Sequence, residues 1–305
     1  MTPIHFTTLQ PDLKTKYNDY YRKSESELTD LTFNCRFAWD VVFKNEVAFI
    51  EDCLVMISDG GCFTQPHMLM PMGDLNEDNL NRIIEQMIPV FKERNWPFRI
   101  MAIDESKVDL FDKLSGYDTR FCFNNSFSDY LYKASKLRTL SSPRLRKKRN
   151  HINRFMRNYP HYNYARMTAG DADDCLALVR KWSDDKGIDI NDYQNSDYHM
   201  IARLFKHFDA LDVHGGVIRI GTEVAAFSMG SIGNPNRAYI HFEKADTSID
   251  GAYPAINQLV LQNEFSNVTE VNREEDLGIP GLRKSKRSYY PIKMIKKYTC
   301  QIEIQ

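Results

Sequence analysis

The order of helix and strand patterns between residues 161 and 305 limits the chain to few folds. Hydrophobic periodicity and turn residues predict a strand, two helices, three antiparallel strands, a helix, a strand, a helix and a final strand. This order predicts an α/β fold built on a mixed sheet. The predicted segments are 162–167, 171–186, 198–209, 213–220, 223–231, 237–243, 253–266, 268–272, a short helix starting near Leu282, and a tail over 294–304.

The first half of the chain shows a similar alternation of helix and strand patterns. Residues 79–94 have apolar side chains at helical spacing, and short strand patterns surround them. No repeat is visible at the level of individual residues. We predict two tandem domains of one kind, residues 1–135 and 161–305, joined by a basic connecting helix over 136–160.

The bulk composition is that of an ordinary globular protein. With 305 residues, 42% hydrophobic and 27% charged, the chain is long enough for two domains, and a net charge of −1 argues against a generic nucleic-acid coat protein. Six scattered cysteines without CxxC spacing favour free thiols in a reducing compartment. We see no signal peptide and no apolar run near the ~20 residues of a membrane span, and predict a cytoplasmic protein.

The most one-sided charge distribution lies between residues 133 and 160, which include ten basic residues and no acid. A helix starting after Pro143 would present many of these cations on one face. We predict that this face contacts an anion such as tRNA, and the alternative is a linker helix with a basic polar side. The predicted contacts are Arg146, Lys147, Lys148, Arg149 and Arg154.

The order of elements in the second half is that of an acyl-CoA N-acyltransferase (GNAT) domain. In such a sheet two central strands separate, and the next helix offers its N-terminus to the phosphates of an acyl carrier. Glu243 ends the strand at this gap and is a candidate general base, whereas His241 is better explained as a packed histidine. The following loop lacks the Gln/Arg-x-x-Gly-x-Gly pattern of typical acetyl-CoA enzymes, so an ordinary connection stays open. The predicted carrier contacts are Thr247, Ser248, Gly251, Ala252 and Tyr253.

A second charged stretch runs from residue 272 to residue 291. Three acids, 274–276, precede a turn with Gly278, Pro280 and Gly281, and a basic run follows. This pattern is typical of a strand end, a turn and a short helix that together hold a phosphate or an amine. The alternative is a solvated loop with its own ion pairs.

The sequence contains no Gly-x-Ser-x-Gly, no P-loop and no paired Cys and His in a recognisable setting. We therefore predict direct transfer between bound donor and acceptor, without a covalent enzyme intermediate. The histidines show no metal-ligand spacing, and we predict neither a metal site nor a tightly bound cofactor.

Three segments together carry a family resemblance. They read Leu-Arg-Lys-Lys-Arg-Asn-His-Ile-Asn-Arg-Phe (145–155, preceded by Asp-Tyr-Leu-Tyr at 129–132), His-Phe-Glu-Lys-Ala-Asp followed by Asp-Gly-Ala-Tyr-Pro-Ala-Ile-Asn-Gln (241–258), and Asn-Arg-Glu-Glu-Asp-Leu-Gly-Ile-Pro-Gly-Leu-Arg-Lys-Ser-Lys-Arg-Ser-Tyr-Tyr-Pro (272–291). The chain resembles the family of the phosphatidylglycerol lysyltransferase C-terminal domain. This resemblance implies tandem GNAT-like domains related to the Fem-type aminoacyltransferases, which move an aminoacyl group from charged tRNA.

The resemblance also implies an active cleft. We predict catalytic roles for Glu243, Glu274, Asp276 and Lys286, and substrate contacts for Asn257, Asn272, Arg283 and Tyr289. The predicted activity is transfer of an acyl or aminoacyl group from a polyanionic carrier, aminoacyl-tRNA or acyl-CoA, to an amine or hydroxyl. Two alternatives stay open: an acyl-CoA-dependent N-acetyltransferase of a small molecule, and a non-catalytic module that binds RNA or an anionic lipid surface.

Overall fold

The computed structural model describes residues 4–234 and 236–303, which form two compact units. The first unit contains residues up to 128 together with the stretch from 295 onward, and the second lies within 129–294. Within the described ranges, no helix has both the length and the apolar character needed to cross a membrane.

Helices and strands alternate through both units. The helices are α1 (Lys14–Ser24), α2 (Phe33–Phe43), α3 (Glu77–Glu93), α4 (Val108–Asp112), α5 (Ala134–Thr139), α6 (Arg146–Asn158), α7 (Ala172–Asp184), α8 (Tyr198–Lys206), α9 (Ala252–Asn263) and α10 (Pro280–Arg287). The strands are β1 (Thr7–Thr8), β2 (Glu46–Ile50), β3 (Cys53–Ser58), β4 (His67–Leu69), β5 (Arg99–Asp104), β6 (Asp118–Phe123), β7 (Asp129–Lys133), β8 (Asn163–Arg166), β9 (His214–Ile220), β10 (Glu223–Asn234), β11 (Arg237–Ala245), β12 (Glu270–Asn272), β13 (Lys293–Ile295) and β14 (Lys297–Glu303).

The two sheets have the same plan. The first has the strand order β1-β2-β3-β4-β5-β14-β6, and the second has the order β8-β9-β10-β11-β12-β7-β13. Each contains a parallel pair, β4 with β5 and β11 with β12, with antiparallel strands on either side of it. Parallel neighbours need a crossover connection, and α3 and α9 provide it. The predicted mixed α/β fold in two tandem copies is therefore confirmed.

The boundaries of the units differ from the predicted segments 1–135, 136–160 and 161–305 in two places. Strand β7, which lies within the predicted segment 1–135, pairs with β12 in the second sheet, where Tyr132 lies opposite Val271. Strand β14 at the end of the chain pairs with β5 and β6 in the first sheet. Hydrogen bonds between strands distant in sequence decide both placements, and local periodicity contains no information about them.

Helix α6 belongs to the second unit and is part of its core. Ile152 and Phe155 are buried with the apolar side of α9, and the Phe155 ring packs against Tyr159 and Tyr162, with centroids 5.5 and 5.2 Å away. The polar side of the helix carries the cations, as its periodicity predicts. The segment 136–160 is thus more than a connection between two domains.

We expect Phe155→Ala to lower the free energy of unfolding by about 3–5 kcal/mol, because a fully buried ring is lost and a cavity remains. Urea denaturation followed by circular dichroism would measure this change. The control is Arg157→Ala on the exposed side of the same helix, which should stay within about 0.5 kcal/mol of the wild type. A loss below 1 kcal/mol for Phe155→Ala would contradict the placement of α6 in the core.

Candidate functional site

Strands β11 and β12 separate in the middle of the second sheet. Their parallel pairing covers Arg237–Tyr239 of β11 and Glu270–Asn272 of β12. Strand β11 continues to Ala245, and residues 240–245 pair with β10 on the other side. We call the opening between residues 240–245 and the segment 273–276 the split. It matches the gap that the order of elements predicts.

Two side-chain pairs cross the split. Arg273 Nη2 donates to Glu243 Oε1 at 2.9 Å, and His241 Nδ1 lies 3.0 Å from Glu274 Oε1. Asn257 of α9 donates to the other oxygen of Glu243 at 2.9 Å. Alternation along β11 places His241 and Glu243 on the same side of the strand. The structure therefore brings together three residues of the predicted site: Glu243, Glu274 and Asn257.

A hydrogen-bonded chain continues from Glu274 into the sheet. Ser231 Oγ lies 2.8 Å from His241 Nε2, and burial lowers the pKa of His241 from 6.5 to about 3. The ring is therefore neutral, its Nδ1–H donates to the carboxylate, and its Nε2 accepts from the serine hydroxyl. This arrangement fixes the imidazole tautomer and holds the Glu274 carboxylate at the split.

The backbone at Glu274 is unusual. Its φ of 56° lies in the left-handed region, where a side chain with a Cβ is strained. The Asn272 side chain accepts from the Glu274 N–H at 2.8 Å and donates to Asp129 at 2.9 Å. Asn272 is fully buried, so this predicted substrate contact holds the turn that presents Glu274.

Asp276 and Arg283 form a separate, closed pair. The Asp276 carboxylate accepts two hydrogen bonds from Arg283, both at 2.9 Å, one from Tyr130 Oη at 2.5 Å and one from the Gly278 N–H at 2.9 Å. The guanidinium holds the pKa of Asp276 far below its usual range. A carboxylate with all these donors is a poor proton acceptor. The geometry favours a structural role for both residues at the start of α10, in place of the predicted catalytic and substrate roles.

Lys286 is buried and holds the segment after β12. Its ammonium donates to the carbonyl oxygens of Arg273 and Glu275, the latter at 2.5 Å. Burial lowers the pKa of Lys286 to about 8. The Lys286 carbonyl accepts from Tyr132 Oη at 2.8 Å. This predicted catalytic residue thus anchors the turn that carries Arg273 and Glu274.

One of the predicted anion contacts, Lys148, lies at the same site. Its Nζ atom is 4.2 Å from the centroid of the Tyr289 ring, and Cζ of Arg273 is 4.9 Å from the same centroid. Burial lowers the pKa of Lys148 to about 8 and raises that of Tyr289 to about 12. Helix α6 and the segment just after α10 therefore contribute one side chain each beside Arg273 at the split.

The remaining cations of α6 have different environments. Arg146 and Lys147 are exposed. The Arg149 guanidinium donates to the carbonyl of Leu140 and, at 2.8 Å, to that of Ser142, and Arg154 forms an ion pair with Asp250 at 2.8 Å. Arg146 and Lys147 therefore offer exposed charge for a large anion, whereas the charge of Arg154, though exposed, is paired with Asp250.

Helix α6 packs closely against the end of the predicted carrier loop. Gly251 has a φ of 87°, and a Cβ at this position would lie 2.4 Å from the carbonyl oxygen of His151 in α6. The glycine is thus needed for the close approach of α6, and contact of its backbone with a ligand stays a prediction. Ala252 is fully buried and Tyr253 is half-buried. Ser248 donates to Asp246 at 2.6 Å, and Thr247 is exposed.

Sequence reasoning missed Arg273 and Ser231. The available signal for Arg273 was its position directly after a buried strand end, opposite a candidate carboxylate in the neighbouring strand. Nothing in the local pattern distinguishes Ser231 from other strand serines, because its partner His241 lies in the next strand of the sheet.

Comparison with known proteins finds a matching family and several similar structures. The family model described as "Phosphatidylglycerol lysyltransferase, C-terminal" matches residues 26–301. A conserved protein of unknown function from Bacteroides thetaiotaomicron is 30% identical, with a TM-score of 0.90 over 99% of this chain and 100% of that chain. L-PGS from Bacillus licheniformis gives 0.65 at 14% identity, over 96% and 92% of the two chains. FemX gives 0.65 at 6% identity, over 97% and 96%. The last two similarities concern the fold alone.

We expect Gly251→Ala to destabilise the second unit by about 1–3 kcal/mol more than Gly221→Ala does. Both glycines have positive φ, but a Cβ at Gly221 meets no atom within 4 Å, so that control measures backbone strain alone. Urea denaturation of both variants gives the comparison. Equal losses of stability in the two variants would mean that α6 shifts to make room for the added methyl group and does not pack tightly against the start of α9.

A second prediction concerns pH. Below pH ~6.5 the unfolded chain binds a proton at His241 that the folded protein does not bind until about pH 3, so the free energy of unfolding falls as the pH drops through this range. His241→Gln should reduce the slope between about pH 7 and pH 4.5 in urea titrations. Part of the slope will remain, because burial also lowers the pKa of His67, to about 4.

The control for this measurement is His161→Gln, at an exposed position of the same unit. It should leave the slope of the wild type unchanged. Identical slopes for the wild type and His241→Gln would contradict a neutral, buried imidazole at the split.

Proposed function

Because this chain belongs to the phosphatidylglycerol lysyltransferase C-terminal family, we propose that it is an aminoacyltransferase that uses charged tRNA as its donor. The acceptor is an amine or hydroxyl, and the transfer is direct. Family membership supports the class of reaction, and the arguments for the donor and for the roles of individual residues come from the geometry of the second unit.

The observation that carries this proposal is the split itself. Residues 240–245 of β11 have lost β12 as a hydrogen-bonding neighbour, and two carboxylates, Glu243 and Glu274, are held at the opening by fixed partners. Holding half-buried carboxylates beside an opened sheet is costly unless each is paired, as both are here. This is the kind of preorganised polar site that supports group transfer by proximity and electrostatics.

The close packing at the start of α9 supports tRNA over coenzyme A as the donor. His151 and Phe155 of α6 crowd one side of Gly251, where a Cβ would lie 2.4 and 2.9 Å from their atoms, and this close packing leaves less room for a pyrophosphate beside the start of α9. Asp250, directly before this point, is paired with Arg154 and would repel phosphate. By contrast, Arg146 and Lys147 on the exposed side of α6 offer cations to a long polyanion.

The transfer step needs a group that takes one proton. The acceptor nitrogen or oxygen attacks the carbonyl carbon of the aminoacyl ester, and the Glu274 carboxylate takes the proton that the acceptor loses. The ester C–O bond then breaks, and the leaving ribose hydroxyl of the tRNA regains this proton. His241 and Ser231 act as positioning residues for Glu274, and Glu243 with Asn257 holds Arg273 in place.

The donor can be tested by supplying both carriers to the same protein. Bulk tRNA charged with radiolabelled amino acids, or radiolabelled acetyl-CoA, is incubated with two acceptors, phosphatidylglycerol vesicles and a pool of soluble amines. We expect label to leave the tRNA and to appear in an acceptor fraction, with no transfer from acetyl-CoA. Transfer from acetyl-CoA alone would overturn the choice of donor, and transfer from neither carrier would overturn the proposal.

We expect Glu274→Gln to lower the rate of transfer by about 10²–10⁴-fold, because the amide cannot accept the proton. Denaturation midpoints would show that the variant is folded. The matched control is Asp276→Asn, which removes a carboxylate two residues away that is closed by Arg283 and Tyr130. It should lower stability and leave a much larger fraction of the activity. Equal rate losses at both positions would argue against Glu274 as the base.

A further inference from the structure

Two cations at the split, Arg273 and Lys148, are surrounded by too few anionic groups to balance their charge. The Arg273 side chain is only 10% exposed, and one of its terminal nitrogens, Nη2, donates to Glu243. The other, Nη1, is buried and meets no acceptor at hydrogen-bonding geometry among residues 4–234 and 236–303, and the guanidinium also interacts with the Tyr289 hydroxyl, an uncharged group. Leaving a buried guanidinium N–H without an acceptor is costly, so such groups are rarely left unsatisfied.

Lys148 is in a similar position. Its ammonium lies over the Tyr289 ring, and no carboxylate in the described part of the chain forms an ion pair with it. The charged groups that act on it are Arg273, Glu243 and Lys147, so two other cations face it against a single carboxylate. Burial and these cations disfavour its charged form and lower its pKa to about 8.

Arg273 and Lys148 contact the same aromatic ring from different elements, one from the turn after β12 and the other from α6. Glu243, the carboxylate that acts on both cations, already has a donor on each of its oxygens. Two cationic side chains therefore lie beside the Tyr289 ring, and one of them has an N–H group without an acceptor. An anion with several acceptor oxygens would satisfy both groups at once.

We propose that Arg273 Nη1 and the Lys148 ammonium, which both lie beside the Tyr289 ring, bind a phosphodiester group of a substrate. This inference rests on the proposed function and adds the chemistry that its site recognises. An aminoacyl ester has no free carboxylate, whereas phosphodiesters occur both near the aminoacylated end of tRNA and in the phosphatidylglycerol head group. Both sources share the same chemistry.

The experiment measures binding directly, without any transfer. Isothermal titration with the trinucleotide CCA tests the tRNA source, and titration with glycerophosphoglycerol tests the lipid head group. Lys148→Met keeps the apolar stem and removes the charge, so affinity for the probe that binds should fall about tenfold or more, as expected for a lost charge-assisted hydrogen bond. Arg157→Met, at an exposed cation of the same helix, is the matched control and should change the affinity less than about twofold.

A second measurement shows that the variant is folded. Without any anion, Lys148→Met should be at least as stable as the wild type, because it removes a half-buried charge that has no ionic partner. A saturating probe should raise the melting temperature of the wild type more than that of Lys148→Met. Arg273→Lys, which keeps the charge and loses the second N–H group, should also weaken binding of the same probe.

The results separate this inference from the proposed function. If neither phosphodiester binds the wild type, or if Lys148→Met binds as well as the wild type, the phosphodiester site is wrong, even if aminoacyl transfer is observed. Binding of acetate as tight as that of either probe would also overturn it. If a probe binds and depends on Lys148, the site stands, and absence of transfer then counts against the proposed reaction alone.

Discussion

An ion pair between Glu243 and Arg273 spans the opening in the second sheet, where β11 and β12 no longer share backbone hydrogen bonds. Neither charge is fully solvated, so each depends on the other, and the turn after β12 must hold the guanidinium in one place. Asn257 of α9 completes the carboxylate's contacts, and Lys286 of α10 fixes the turn through its carbonyl oxygens. Helices α9 and α10 therefore both support the ion pair between Glu243 and Arg273.

Helix α6 combines two roles that composition alone would assign to different segments. Its apolar side packs in the core, and its backbone packs closely against the start of α9 because Gly251 has no Cβ to keep it away. Its polar side then divides its cations among a core-facing position at Lys148, structural pairs at Arg149 and Arg154, and exposed charge at Arg146 and Lys147. A uniformly basic stretch becomes three environments because a helix turns by about 100° per residue.

The proposed chemistry follows from the difference between two nearby carboxylates. Asp276 is closed by an arginine, a tyrosine and a backbone N–H, which hold it ionised. Glu274 accepts a hydrogen bond from a neutral imidazole that a buried serine orients. The same functional group, a carboxylate, is therefore suited to holding a turn at Asp276 and to moving a proton at Glu274, because the partners of the two residues differ.

Much of the fold was predictable, and the site was predictable only in part. Apolar spacing located α3, α7 and α9, and the resemblance pointed to Glu243 and Asn257, which do meet. The alternative of a solvated loop with its own ion pairs predicted ion pairing after β12. Asp276 and Arg283 form such a pair, in which the Asp276 side chain is buried. What Gly251 approaches was not predictable, because its neighbour His151 is a hundred positions earlier in the chain. By itself the amino-acid sequence determined where helices and strands form, since periodicity and turn residues act locally. Tertiary structure alone decided that β7 and β14 join distant strands and that Arg273, Lys148 and Tyr289 meet, because those contacts depend on long-range packing that no local pattern encodes.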